Sequence, residues 1–559
     1  MSDALADVVV IGAGAGGLAA AVSAAHHGAS VIVLERAAVV GGTTAWSGGW
    51  IWAPRNPVAI RAGIVEDPAA PRDYLRAVLG NRYRAERAEA FLAAAPEMVA
   101  FFEENTALVF DGGLKIPDTY GQQPGAGMGG RSVIARAYDA RGLGPALMLL
   151  RPPVRETTFW GMTIQSGDDL RAFMTMTRSL ASFTHATRRV LRHLRDLLRH
   201  GRGMDLRNGN ALAARLLRSC LDLGVRIRTG ETTEALIVEN GRVAGVRLAG
   251  GETIRATRGV VLACGGYPRD AARREASFPR DAEHQTLAVE TAQGDGLRLA
   301  EDAGAAVDTD LAQPAAMCPV SMVRWPDGRV APFPHIIDRG KPGVIGVLAS
   351  GARFCNEGLG YHDYVEAMLR AIPEGAPTRS WLVCDHRFLR RFGLGIVRPT
   401  PVPWQPWAKR GYLKTAATIP DLARACGIDP GGLQATVTAW NDGAARGEDP
   451  VFGRGTTAYM RLQGDPEQQP NPNVAPILKP PFHAVEVVPG GFGTFAGIAA
   501  DGRARALRAD GTPVPGLYAV GSDAASPFAG FYPAGGINLG PALTFGFVAG
   551  RDLARTTPE

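Results

Sequence analysis

The 559-residue sequence has only six cysteines, and no two of them form a Cys-x-x-Cys pair. This spacing argues against a zinc ribbon, an iron–sulfur cluster and an attached haem, so we expect free thiols in a reducing compartment. No uninterrupted apolar run is long enough to span a bilayer. The N-terminus also lacks the basic region of a signal peptide. We therefore predict a cytoplasmic protein that binds no metal.

The sequence also carries little net charge. The value of +6 is small for this length and comes from scattered arginines, so the composition does not favour a nucleic-acid partner. The apolar content of 46%, together with 70 glycines and 40 prolines, is typical of a globular, loop-rich protein. The length predicts two or three domains.

A glycine-rich turn near the start of the chain lies between a predicted strand at residues 7–11 and a predicted helix. A second predicted strand, at residues 29–34, ends on Glu35. Small residues in such a turn let backbone amides approach a pyrophosphate at the helix N-terminus, and the terminal acid meets a ribose 2′-hydroxyl. The pattern predicts an ADP-binding turn formed by Gly12, Gly14, Ala15, Gly16 and Gly17.

Two further segments favour FAD over NAD. Small and hydroxyl residues directly after Glu35 suit a longer cofactor that passes close to the backbone. Residues 515–523 predict a turn and a strand before Asp523, similar to the second FAD contact of glutathione-reductase-type flavoproteins. A last helix, with Pro541 in its first turn, would point its positive end at the flavin N1/O2 edge. The expected FAD contacts here are Arg36, Gly42, Thr43, Thr44, Ser47, Gly48, Gly49, Asp523, Asn538 and Leu539.

The order of these segments predicts an α/β fold, with a Rossmann-like FAD-binding domain of the glutathione-reductase type and an inserted α+β substrate domain. We expect the FAD-binding domain at 1–310, with an insertion at about 106–207, and its C-terminal part at 485–559. The substrate and catalytic domain would be 311–484. Gly265, after a predicted buried strand, and Asp295, at a predicted helix start, are further candidate FAD contacts.

Residues 171–202 predict a basic helix, with Arg188, Arg189, Arg192, Arg195 and Arg199 on overlapping faces. Three interpretations remain open. The helix is a solvated surface element, a peripheral membrane contact, or a lid over the site. The membrane contact is considered because cationic amphipathic helices favour anionic surfaces.

The segment G-A-R-F-C-N-E-G-L-G-Y at 351–361 resembles a signature of the flavoprotein superfamily of fumarate reductases and 3-ketosteroid Δ1-dehydrogenases. In fumarate reductases the similar stretch carries a catalytic arginine, and Tyr361 stands in its place. Residues 313–315 read Gln-Pro-Ala where that family has a substrate-binding His-Pro-Thr. The carboxylate-clamping arginine has no counterpart between Phe528 and Gly540. A dicarboxylate in a dry site needs such cations, so fumarate and succinate are not expected substrates.

The segment F-Y-P-A-G-G at 531–536 resembles the ketone-binding motif of the ketosteroid dehydrogenases. The resemblance implies that the Tyr532 hydroxyl and the Gly536 amide bind the ketone oxygen and stabilise an enolate. It also implies that Tyr361 removes the α-proton, assisted by Tyr120, while the β-hydrogen passes as hydride to flavin N5. A tyrosine pair can relay protons although a free phenol has a pKa of about 10.

The resemblance implies FAD-dependent 1,2-desaturation of a small apolar cyclic ketone, with a 3-ketosteroid as the example and a quinone or other external electron acceptor. Two alternatives stay open: a flavin-dependent reductase of an activated alkene, and a flavoprotein electron-transfer subunit of a larger complex. No histidine occurs in 41–49, where succinate dehydrogenases attach flavin covalently, so we expect non-covalent FAD.

Overall fold

A computed structural model describes residues 4–556 of the protein. Its largest sheet has parallel inner strands, whose register pairs Val10 with Val33 on one side and with Val261 on the other. These strands are apolar and buried on both faces, as the covered sheet of an α/β fold requires. In spatial order the sheet runs through Arg505–Leu507, Pro513–Ala519, Thr253–Leu262, Ala4–Ile11, Val31–Glu35 and Arg226–Thr229, and the hairpin Thr233–Glu239 and Arg242–Leu248 joins Thr253–Leu262.

The first and last helices, Ala15–His26 and Leu539–Arg555, pack against each other almost without side chains between them. A Cβ atom added at Gly546 would lie 2.5 Å from the Gly16 carbonyl oxygen, and one at Gly550 would lie 2.3 Å from that of Ala20. Helix Asn208–Asp222 packs on Ala15–His26 as well. The glycines therefore hold the N-terminus of the last helix close to the glycine-rich turn.

The segment after the first strands adds helices Pro57–Arg61, Ala70–Leu79 and Ala85–Asn105. Strand Trp50–Trp52 forms a small sheet with Ser132–Ala135 and Phe110–Gly112. The remainder of this region contains the short strand pair Tyr138–Asp139 and Asp205–Leu206 and the helices Asp168–Thr175 and Leu180–His200. The single basic helix expected over 171–202 is thus two helices.

The second half of the chain builds a separate antiparallel sheet from Val344–Val347, Ser380–Cys384, Phe482–Val487 and Lys414–Ala416. Around it lie the helices Tyr361–Ala371, His386–Phe392, Gln405–Lys409, Ile419–Cys426, Pro430–Ala444 and Ala458–Gln463. A hairpin is formed by Val320–Arg324 and Val330–Pro334.

Short strands form two further small sheets. Ala315–Met317 and Gln285–Thr286 both pair with Gly490–Thr494, and Val307–Asp308 pairs with Gly497–Ile498. In the sequence, helix Ala271–Ser277 precedes these strands, and helix Asp295–Asp302 lies between Gln285–Thr286 and Val307–Asp308. Over residues 4–556, no helix is both long and apolar enough to cross a membrane.

Candidate active site

The predicted ADP-binding turn lies between strand Ala4–Ile11 and helix Ala15–His26, as its sequence requires. Gly12 has a φ of +105°, and a Cβ atom there would lie 2.2 Å from the Ala263 carbonyl oxygen, so this position accepts only glycine. Gly14 caps the helix, and a Cβ atom added to it would meet nothing closer than the Thr44 hydroxyl at 3.8 Å. The space beside Gly14 at the helix N-terminus is therefore open, which leaves room for an anion.

Glu35 is buried at the end of its strand. Its carboxylate accepts the backbone N–H groups of Ala13 at 2.8 Å and Ala37 at 2.9 Å. Burial raises the pKa of this carboxyl group, and the two amides lower it. Arg36 forms an ion pair with Asp295 at 2.7 Å, at the start of helix Asp295–Asp302.

The hydroxyl-rich segment after Glu35 folds into the short 3-10 helix Gly42–Trp46, beside the glycine-rich turn. The Thr44 hydroxyl accepts the Ala15 N–H at 3.0 Å, and the Thr43 hydroxyl accepts the Val289 N–H at 3.2 Å. Ser47 donates to the Thr44 carbonyl at 2.8 Å, and its hydroxyl oxygen accepts the N–H of Gly49 at 3.2 Å. Nothing lies within 4 Å of a Cβ atom added at Gly48, so the loop leaves room beside its backbone.

Asp523 lies fully buried after strand Pro513–Ala519. It accepts the N–H groups of Cys264 at 2.6 Å and Gly266 at 2.8 Å, on either side of Gly265. Burial raises its pKa to about 6. These contacts fix the carboxyl group at the C-terminal edge of the sheet, where α/β folds bind their ligands. Together with Glu35, the open space beside Gly14 and the open loop, this arrangement fits FAD.

Arg151 lies near Glu35 in the fold, and no sequence motif predicts this approach. Its guanidinium carbon lies 5.4 Å from the ring centroid of Trp46, and its Nε is buried without a hydrogen-bond partner among the described residues. A buried guanidinium nitrogen without a partner is costly. We therefore count Arg151 as a candidate FAD contact, which no local motif identifies.

Tyr361 and Tyr532 meet although they lie far apart in the sequence. Their ring centroids are 4.9 Å apart, and the rings are nearly perpendicular. Tyr361 is the first residue of helix Tyr361–Ala371, and Phe492 packs against its ring at 5.4 Å. Burial raises the pKa of both phenols, so each hydroxyl is protonated near neutral pH.

The hydroxyl oxygen of Tyr532 accepts a hydrogen bond from the Asn538 side chain at 3.3 Å. Asn538 also caps helix Leu539–Arg555, so this residue links the last helix to the tyrosine pair. Gly536 lies between them with a φ of +102°, and a Cβ atom there would lie 2.6 Å from the Trp52 nitrogen. No hydrogen bond among residues 4–556 uses the Gly536 N–H, which leaves this donor available to a ligand.

Tyr120 forms a hydrogen bond to the helix that begins with Tyr361. Its hydroxyl donates to Asp363 at 2.8 Å, and its backbone N–H donates to the Tyr74 hydroxyl at 3.2 Å. A phenol has one proton, so Tyr120 in this arrangement does not donate to Tyr361. Asp363 lies two residues after Tyr361 on the same helix.

Asp363 is a site residue that the sequence analysis missed. One carboxylate oxygen accepts the hydrogen bond from the Tyr120 hydroxyl, and the other is buried with no partner in the described part of the chain. Burial raises the pKa of Asp363, and His362 and Tyr120 partly oppose this effect. The other titratable groups that face it are Glu366, Tyr74 and Tyr459. A single aspartate after a tyrosine has no distinctive sequence signal.

The 351–361 motif acts as a support for Tyr361. Arg353 pairs with Glu357 at 2.7 Å and with Asp449 at 2.9 Å, and Arg454 lies 3.3 Å from Glu357. Arg339 donates to the Glu357 carbonyl at 2.8 Å. These guanidinium groups are therefore engaged in holding the loop. Across residues 4–556, no hydrogen bond or ion pair brings a guanidinium group to Tyr361 or Tyr532.

The family model of the FAD binding domain matches residues 7–539 of this chain. The chain belongs to this family. A 4-oxocyclohex-2-ene-1-carboxylate 5-dehydrogenase from Sinomonas cyclohexanicum is 39% identical over 98% of this chain and 94% of its own length. A 3-oxosteroid 1-dehydrogenase from Mycobacterium tuberculosis is 35% identical over 98% of each chain. The solved 3-ketosteroid delta1-dehydrogenase of Sterolibacterium denitrificans, in complex with 1,4-androstadiene-3,17-dione, has a TM-score of 0.91 at 32% identity, covering 98% of this chain and 99% of that one.

These similarities confirm the predicted fold class, the resemblance to ketosteroid dehydrogenases, and FAD as the cofactor. The protein is an FAD-dependent oxidoreductase. The domain boundaries and the roles of individual residues remain predictions.

Proposed function

We propose that this flavoprotein catalyses α,β-dehydrogenation (1,2-desaturation) of a cyclic ketone. The meeting of Tyr361 and Tyr532 beside the unused Gly536 amide is the observation that carries the proposal. The names of its relatives support it, since the Sinomonas cyclohexanicum and Mycobacterium tuberculosis enzymes are dehydrogenases of an oxocyclohexene carboxylate and of 3-oxosteroids.

The ketone oxygen would be bound by two donors, the Tyr532 hydroxyl and the Gly536 N–H. Because the Tyr532 oxygen already accepts from Asn538, its own proton is free to point at the substrate. Two such donors stabilise the negative charge that develops on the oxygen as the α-proton leaves. Burial keeps the Tyr532 phenol protonated, which this role requires.

The α-proton would pass to the Tyr361 hydroxyl. Since burial raises the pKa of this phenol, Tyr361 is protonated before the reaction. It must therefore release its own proton as it accepts the α-proton. Tyr120 and Asp363 form a hydrogen-bonded pair at the start of the same helix, and the free oxygen of Asp363 can take up a proton. We assign these two residues to the proton path.

Bound FAD supplies the hydride acceptor for the β-hydrogen, and an external acceptor, a quinone or another oxidant, then takes up the electrons. The substrate thus loses one proton and one hydride. Phe492, which packs on Tyr361, provides an apolar wall that suits an uncharged ring.

The test is anaerobic bleaching of the flavin absorbance near about 450 nm by a panel of cyclic ketones, including a 3-ketosteroid and a 4-oxocyclohexene carboxylate. Bleaching by a ketone supports the proposal, and the fastest substrate defines the class. A reduced enzyme that is reoxidised by an enone but not by dyes or quinones would instead identify an alkene reductase. Turnover only after a partner protein is added would identify an electron-transfer subunit.

A further inference from the structure

Helix Leu180–His200 presents its apolar side chains to solvent rather than to the protein. Leu198 is 88% exposed, Leu180 is 82% exposed and Leu191 is 61% exposed. At 3.6 residues per turn they fall on one face. We call this face the apolar stripe, and it consists of Leu180, Phe183, Leu191, Leu194 and Leu198.

The face that packs on the protein is polar instead. Arg189 pairs with Asp169 at 2.6 Å, and His193 bonds to the Trp160 carbonyl oxygen at 2.9 Å. Asp196 accepts the Met204 N–H at 3.3 Å. Polar groups therefore anchor the helix, while its apolar side chains remain in water. A surface helix normally has the reverse arrangement.

The third face is basic. Arg188, Arg192, Arg195 and Arg199 are exposed and follow one another at spacings of four, three and four. They lie roughly a third of a turn from the apolar stripe. Within residues 4–556, no ion pair neutralises Arg188, Arg192 or Arg199. A row of exposed arginines, of which Arg195 alone has an ion pair among the described residues, therefore runs along one flank of the stripe.

We propose that this helix docks in the plane of a membrane surface that contains anionic lipids. An apolar stripe inserts between headgroups and an arginine row meets lipid phosphates in this binding mode. The helix is about 30 Å long at 1.5 Å per residue, so its whole length can lie along the surface. The basic flank favours a bilayer over a second copy of the chain, which would have to bring an acidic counterpart.

The experiment uses full-length, FAD-loaded protein and sedimentation with vesicles of phosphatidylcholine, with or without phosphatidylglycerol. We expect binding to the anionic vesicles, a decrease with added salt, and little binding to pure phosphatidylcholine. Protein that remains in the supernatant with anionic vesicles at low salt would overturn the proposal.

Variants then separate the apolar stripe from the basic row. Leu191→Gln/Leu198→Gln should weaken vesicle binding at least about tenfold, since two largely exposed leucines no longer insert. Arg188→Gln/Arg192→Gln should weaken vesicle binding by about 30-fold on anionic vesicles only.

The matched control is Val65→Gln/Val451→Gln, which changes two exposed apolar side chains elsewhere on the surface. It should bind like the wild type, and equal losses in this control and in the leucine variant would contradict a role for the stripe. Light scattering provides the second readout. A wild-type dimer that the leucine variant converts to a monomer would show that the stripe joins two copies, and this would overturn the membrane proposal. A leucine variant with altered turnover but unchanged vesicle binding would identify a lid instead.

Discussion

Replacement of Asp363 by asparagine removes the proposed end of the proton path while keeping the shape of the side chain. The amide oxygen can still accept from the Tyr120 hydroxyl, which now lies 2.8 Å from the carboxylate. The amide cannot take up a proton at neutral pH, however. A positioned acid or base contributes about 10²- to 10⁴-fold to a rate, so we expect kcat to fall about 100-fold with KM little changed.

The pH profile should change as well. In the wild type, Asp363 must be ionised to receive a proton, and burial raises its pKa above the ordinary value for aspartate. The acidic limb of the kcat profile should therefore lie above that ordinary value and should disappear in Asp363→Asn. Steady-state rates between about pH 5 and 9, with saturating ketone and acceptor, provide the measurement.

Stability measurements distinguish this role from a structural one. Since the folded-state pKa of Asp363 is raised, the carboxylate form disfavours folding at neutral pH, and removal of the charge should not lower Tm. Glu374→Gln is the control, as it removes an exposed carboxylate shortly after the same helix. An Asp363→Asn enzyme with the wild-type kcat and acidic limb would refute the assignment.

Three further predictions concern the cofactor site and the ketone site. Arg151→Gln should weaken FAD binding by about tenfold in titrations of the apoprotein, because a buried charged hydrogen-bond donor is lost. The control Arg155→Gln removes an exposed ion pair and should leave the FAD affinity unchanged. Equal affinities of the two variants would contradict a contact between Arg151 and FAD. Asp523 has a pKa of about 6 in the folded apoprotein, so between about pH 4 and 6 it keeps a proton that the unfolded chain has lost. The free energy of unfolding therefore falls by about 3 kcal/mol as the pH rises from about 4 to above 6. The Tm of apo Asp523→Asn relative to wild type should therefore rise over that window, and a constant difference would show that the pKa is not raised. Gly536→Ala places a Cβ atom 2.6 Å from the Trp52 nitrogen and should raise KM for the ketone. In the control Gly535→Ala the added Cβ atom meets nothing within 4 Å, so KM should not change. Identical kinetics of the two variants would show that Gly536 does not bind the ketone.

Local motifs explain why much of the cofactor site was predictable from sequence. The turn at Gly12 and Gly14, the acid at Glu35 and the loop at Thr44 follow one another along the chain, and chirality and short connections fix how such a unit folds. The structure places them together. Asp523 was found because its strand and turn form a second local pattern.

The remaining features depend on tertiary contacts that no local pattern encodes. Arg151 approaches Glu35 only after the chain has passed through three helices and a small sheet. The Tyr120–Asp363 hydrogen bond joins the two halves of the chain, and aspartates are common at helix starts for capping reasons alone. The orientation of the basic helix also depends on tertiary contacts. Arg189 is buried against Asp169, whereas the neighbouring leucines are exposed, which is the reverse of what their polarity predicts.

In the proposed mechanism phenols, rather than guanidinium groups, act on the substrate, and the decisive measurement is the rate of anaerobic flavin reduction in Tyr361→Phe. Rapid mixing of the FAD-loaded variant with the best ketone should show full FAD content but bleaching at least about 1,000-fold slower than in the wild type. Tyr138→Phe, at a partly exposed tyrosine elsewhere, should bleach normally. Bleaching of Tyr361→Phe at the wild-type rate would contradict the account.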